Sequence, residues 1–179
     1  MPDDLEDGSD AYIRKDYKTA FEKWKPLAEQ GNPWLQLMIG TMYHAGAGVT
    51  QDYREAAKWL RLSAEQGDAG ARTTLGVMYH NGHGVTQDYK EAFKWYRLAA
   101  EQGDAYAQFN LGQMYDDGHG VTQDSKKAVK WFKLSAEQGN AKAQYNLGFK
   151  YEYGEGVAQD FEQAIKWYSE AAEQGYPEA

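Results

Sequence analysis

His80 and His83 stand in the run HNGHG with the spacing H-x-x-H, the beginning of a zinc or nickel site, and His44 and His119 occupy corresponding places in neighbouring stretches. A structural zinc ion takes four ligands, yet the remaining equivalent positions hold Ala47, Asp116, Glu152 and Glu155. The pattern therefore reads as variation at exposed loop sites, and no metal is expected. Asp116 with Asp117, or Glu152 with Glu155, could form an acid–base couple only in an apolar pocket that shifts their protonation. The sequence places no such pocket, so solvated charge is expected. The runs GHGV and GEGV superficially match phosphate-cradling glycines, but they follow a helix rather than a strand and lack the Lys-Ser/Thr pair of a P-loop. No catalytic residue and no cofactor is expected.

The elements that carry these residues are copies of one another. The tetrapeptide AEQG begins at 28, 64, 100, 136 and 172, and successive starts differ by 36 residues (64 − 28, and so on). A fixed period in the range of roughly 20–50 residues marks a solenoid, in which each unit packs on its neighbours. The 179-residue chain is 42% hydrophobic and 15% aromatic, enough to order a core. Its net charge of −8 disfavours nucleic acid and anionic membranes as partners. It has no cysteine, which excludes disulfides and thiol catalysis. No apolar run approaches the ~20 residues that span a bilayer, and the start MPDDLEDGSD lacks the basic and apolar parts of a secretion signal. The expectation is a soluble chain without membrane insertion, cytoplasmic, or periplasmic or secreted if a leader has been removed.

Each period predicts two helices. The first opens at Asn32, Asp68, Asp104 or Asn140, all residue types that cap free backbone N–H groups. Apolar residues then recur at helical spacing, as in Ala71, Leu75 and Tyr79. A mid-helix glycine at 40, 76, 112 and 148 costs about 0.5–1 kcal/mol relative to alanine, which implies close approach of a neighbouring helix. Gly46, Gly82, Gly118 and Gly154 end the helix, and a second glycine two residues on allows the chain to reverse. The second helix opens at Asp52, Asp88, Asp124 or Asp160. Glu55, Glu91 and Gln163 follow three residues later as in a capping box, and Lys127 breaks the pattern. Alanines at 56, 92, 128 and 164 pair with tryptophans at 59, 95, 131 and 167 as its buried face. The helix ends in AEQG.

Residues 104–139, DAYAQFNLGQMYDDGHGVTQDSKKAVKWFKLSAEQG, and the copies at 32–67, 68–103 and 140–175 resemble the Sel-one-like repeat, a relative of the tetratricopeptide repeat. The resemblance implies an all-α, right-handed α/α superhelical solenoid of antiparallel helix pairs, used as a protein-interaction scaffold without a common catalytic site. Residues 1–31 resemble the partial repeat or cap that opens such arrays, with Asp16, Tyr17 and Ala20 in register with Asp52, Tyr53 and Ala56. Trp24 stands one place beyond the Trp59 position, and Pro26 is expected to bend or break that helix before Leu27. Residues 176–179 would begin a truncated further helix or tail, Pro177 being in register with Pro33. Lys150, where other copies have Met42, Met78 and Met114, hints instead at a natural end. Cysteine-rich relatives are linked to penicillin-type ligands, so a hydrolase is the enzymatic alternative. This chain has neither their cysteines nor an S-x-x-K motif.

The first helix of each pair in such solenoids lines the concave face, and binding is expected where the copies differ. Those positions share one helix face: Trp34, Leu37, Met38, Thr41; Gly70, Thr73, Thr74, Val77; Tyr106, Phe109, Asn110, Gln113; Lys142, Tyr145, Asn146, Phe149. Aromatic surface interspersed with Asn110 and Asn146 suits an extended peptide of a partner protein. Trp34, Tyr106 and Lys142 are expected to be exposed, whereas Phe109 and Tyr145 either face the ligand or pack between neighbouring first helices. Self-association through uncapped ends is the third possibility.

Overall fold

The structure, a computed structural model, describes residues 2–176. The expectations about Pro177 and the following residues lie outside that range. The described residues form ten helices: α1 (Pro2–Ile13), α2 (Tyr17–Glu29), α3 (Pro33–Ala45), α4 (Tyr53–Glu65), α5 (Ala69–Asn81), α6 (Tyr89–Ala100), α7 (Ala105–Asp117), α8 (Ser125–Glu137), α9 (Ala141–Tyr153) and α10 (Phe161–Glu173). They fall into two compact units, Met1–Asp88 and Tyr89–Ala179. Within each, every helix packs on its neighbours in the chain.

The caps form as the residue types require. Asn32, Asp68, Asp104 and Asn140 accept from the backbone N–H three residues on, and Asp52, Asp124 and Asp160 do the same for the second helices. The capping box is not completed, because the N–H that Glu55 or Gln163 would take is already used. Asp52, Asp88, Asp124 and Asp160 donate it to the carbonyls of Tyr43, Tyr79, Tyr115 and Tyr151 at 2.8–3.0 Å. The second helix is thus tied to the last turn of the first. Gln51, Gln87, Gln123 and Gln159 add a side-chain bond to the carbonyls of residues 44, 80, 116 and 152 at 2.6–2.8 Å.

The mid-helix glycines make the expected close approach, but to the residue after the tryptophan. A Cβ on Gly40, Gly112 or Gly148 would lie 2.7, 2.7 or 2.9 Å from Leu60, Phe132 or Tyr168. Trp95 and Trp167 are buried, whereas Trp59 and Trp131 are only half-buried. In α4 and α8 the fully buried position is therefore the 60-type one, Leu60 and Phe132, with which Trp24 is in register, whereas in α10 Trp167 is buried and Tyr168 half-buried. Trp24 is buried among Ala11, Ala20, Ala28, Leu35 and Ile39.

One further expectation about the first 31 residues is corrected. Pro26 does not break α2, which runs unbroken to Glu29. Pro26 and Glu22 both lie on the exposed face, where water can satisfy the Glu22 carbonyl that loses its helical donor. The acidic start is helical: α1 packs on α2, and a Cβ on Gly8 would lie 2.4 Å from Trp24. Gly8 and Trp24 are 24 − 8 = 16 residues apart, against 60 − 40 = 20 for Gly40 and Leu60, so α1 repeats the pairing across a shorter turn. Lys23 holds it, donating to Asp4 at 2.8 Å and Asp7 at 3.2 Å, and this bond pulls the Asp4 carboxyl down to about 2.

Candidate functional site

The faces of the first helices belong to two compact units. In the first, Trp34 is 46% exposed and meets Trp24 edge-on at 5.4 Å. Met38 packs on the core below it. The hydroxyls of Thr41 and Thr74 are turned back onto their own helices, donating to the Met38 and Gly70 carbonyls at 2.8 and 2.9 Å. In the second unit, Tyr106 is 70% exposed and Lys142 is exposed, while Asn110, Gln113 and Asn146 are half-exposed. Phe149 is partly exposed and packs on Tyr153 at 4.5 Å. Tyr145 is half-buried between Tyr168 and Tyr176, at 5.4 and 5.2 Å. Phe109 must be withdrawn from the ligand-facing set. It is 8% exposed and lies against Phe132 at 6.0 Å, because its helix position turns it onto the core of that unit.

The interior of these faces is set by buried amides that sequence reasoning left without a role. Gln36, Gln108 and Gln144 are almost fully buried. Each donates 3.2 Å to the carbonyl of the preceding AEQG alanine, at 28, 100 and 136. Each also accepts from the glutamine of its own AEQG, Gln66, Gln138 or Gln174, at 2.7–2.8 Å. Arg72 takes the same place in the remaining copy and donates to the Ala64 carbonyl at 3.0 Å. The glycine of the motif supplies the left-handed turn, as at Gly67 with φ +104°. Its glutamates are exposed to solvent. The recurring A-x-A-Q could have signalled this, since a glutamine on an apolar helix face needs internal partners.

The histidines are packing pieces of the loops. Tyr53 lies between two imidazoles: His83 stacks on it at 5.2 Å and His44 meets it edge-on at 5.1 Å. Burial, and then the neighbouring His83, push the His44 pKa down. His119 stacks on Tyr89 at 4.5 Å. His80 is the last basic residue of α5. Among the described residues, no three His, Cys, Asp or Glu side chains converge as metal ligands would.

Lys150 fills the place of the methionines with a buried ion-paired ammonium. It is 4% exposed, and its ammonium bonds Asp116 and Glu155 at 2.7 Å each. Burial works against its charge, but the hydrogen bonds from Asp116 and Glu155 outweigh this and raise its pKa. Replacing a buried ion pair by an apolar side chain of similar volume is often neutral or stabilising, whereas removing one partner is not. Here only the lysine is deeply buried, while the Asp116 and Glu155 side chains are 27% and 48% exposed and keep water without it. Lys150→Met is therefore expected to hold or raise stability at neutral pH, and Asp116→Ala, which leaves the buried ammonium a partner short, to lower it by about 1–3 kcal/mol, both read by urea denaturation. A raised lysine pKa stabilises fully below its unfolded value of about 10.4 and is lost as pH rises through the folded value. The wild type should therefore lose ground to the methionine variant only in strong alkali.

Known proteins share these repeats. The model of the Sel1 repeat matches residues 36–68, 71–104, 105–140 and 141–176. A protective antigen present in uropathogenic Escherichia coli strains, c5321, which displays an SLR fold, is 41% identical with a TM-score of 0.85, over 89% of this chain and 34% of the antigen. The chain thus spans about a third of that protein's length. A Sel1 repeat protein from Oxalobacter formigenes is 35% identical with a TM-score of 0.89, over 96% of this chain and 70% of the relative. Cysteine-rich protein B of Helicobacter pylori, at 24% identity and a TM-score of 0.57 over 70% of this chain and 93% of its own, shares the fold. No curated protein matches the chain.

Proposed function

The chain belongs to the Sel1 repeat family, and on that premise we propose that it is a non-catalytic scaffold that holds an extended peptide of a partner protein against the open face of its first helices. The fold is an all-α solenoid related to the tetratricopeptide repeat, and no helix among the described residues is long and apolar enough to cross a membrane.

The observation that carries the reading is the 70% exposure of Tyr106 beside the half-exposed Asn110 on one face of α7. A large aromatic left in water at a position that varies between copies serves no core, and an amide beside it can pair with a peptide backbone. Trp34 on α3 and Lys142 with Asn146 on α9 extend the same kind of surface within their own units.

Peptides selected from a displayed library on the wild type are expected to lose binding to the double substitution of Tyr106→Ala with Asn110→Ala, with the thermal midpoint unchanged. Equal binding by both proteins would remove the reading. Exposed Phe161 and Ile165 on α10, at 60% and 65%, favour self-association as the second reading, which light scattering against concentration separates.

A further inference from the structure

The second helices carry a feature that peptide capture on the first helices does not use. On α4, Arg54, Lys58 and Arg61 are exposed and spaced i, i+4, i+7, so they lie along one face. The same spacing recurs as Lys90, Lys94, Arg97 on α6 and Lys126, Lys130, Lys133 on α8, all exposed. In a chain of net charge −8, this gathers cations on one side of α4, α6 and α8.

On α4 the row borders a groove of about 510 Å³. Its apolar lining comes from Ala57 and Leu62 and from Val85 in the loop after α5, and Glu65 is its one carboxylate. Lys58 is bonded to Glu55, and Arg61 donates to the Tyr79 hydroxyl and lies over that ring. Arg61 is thus fixed in place, whereas Arg54 has no ion pair among the described residues.

We infer that this groove is a docking site for an acidic polypeptide segment with aliphatic side chains between its carboxylates. Arg54 and Arg61 are seven residues apart, about 10 Å along the helix axis, which matches carboxylates three residues apart on a polyproline II strand, where three residues make a turn of about 9 Å and both carboxylates face the helix. An aliphatic side chain between them covers Leu62 and Val85. The charge of the groove is complementary to such a segment, and the two guanidinium forks suit carboxylate geometry. Nucleic acid fits less well: no aromatic side chain lines the groove to stack a base, and the acidic remainder of the chain repels a long polyanion.

The test is fluorescence anisotropy at low salt with a short fluorescein-labelled peptide of repeated Glu-Leu-Ser triplets, its Gln-Leu-Ser counterpart, and an oligothymidylate of equal length. The glutamate peptide should bind at least about tenfold more tightly than the other two. Arg54→Gln combined with Lys58→Gln, both at exposed positions, should weaken it by at least about tenfold, and added salt should weaken it further. Tyr106→Ala should leave it unchanged, which separates this site from the first-helix face. The inference is overturned by no binding, by equal binding of the two peptides, by an unchanged affinity in the double variant, or by tighter binding of the oligothymidylate.

Discussion

Gly84→Ala should destabilise the chain by about 3 kcal/mol, from left-handed backbone strain of roughly 1–2 kcal/mol plus overpacking of roughly 1–3 kcal/mol. Gly84 has φ +69°, and a Cβ built there would lie 2.1 Å from the Tyr53 carbonyl oxygen, a backbone atom that cannot swing aside. Its neighbour Gly82 is the control. At φ +74° it carries the same backbone strain, but its nearest contact would be the Gln87 side chain at 3.3 Å, so Gly82→Ala should cost only about 1–2 kcal/mol. Equal losses in urea denaturation would show that the close approach to Tyr53 contributes nothing. Gly48, Gly120 and Gly156 meet Tyr17, Tyr89 and Ser125 in the same way, at 2.3–2.4 Å. Each such loop rests on the first turn of a second helix in the copy before it.

Phe132→Ala should cost about 3–5 kcal/mol, the range for emptying a buried aromatic site. Phe132 is fully buried in a cluster with Phe109, Ala128, Ala143 and Leu147. The ring presses on α7, since a Cβ on Gly112 would stand 2.7 Å from it. Gly112→Ala alone should therefore destabilise through overpacking, yet become neutral or stabilising once Phe132 is alanine. A double-mutant cycle by thermal denaturation reads this coupling directly. Additive losses would mean that the glycine and the ring do not share the space.

The repeat, the helix pairs and their caps were legible because each rests on a local rule: period, cap residue, terminal glycine. Which residue fills the space beside the mid-helix glycine was not, because Trp59 and Leu60 are both apolar neighbours on one helix and only the packing of α3 on α4 decides between them. Helix α1 escaped notice because its acidic composition gives no apolar stripe, and its hold on α2 runs through Gly8, Ala11 and the Lys23 ion pairs. At the candidate site, exposure was legible for Trp34, Tyr106 and Lys142, where the copies differ most. Phe109 was not, since its orientation depends on the bulk of Phe132 in the following helix. Lys150 looked anomalous only until Asp116, from the copy before, was seen to reach it.

The buried amides also bear on how such a chain changes over generations. Each join runs from a side chain of one copy to a main-chain carbonyl of the copy before it, at Ala28, Ala64, Ala100 and Ala136. A main-chain oxygen is present whatever residue occupies its position, and the join already tolerates either glutamine or arginine as donor. Unequal recombination can then delete or duplicate a whole period and leave the new junction chemically competent. Copy number, and with it the reach of the surface, becomes a variable that selection can alter in one step.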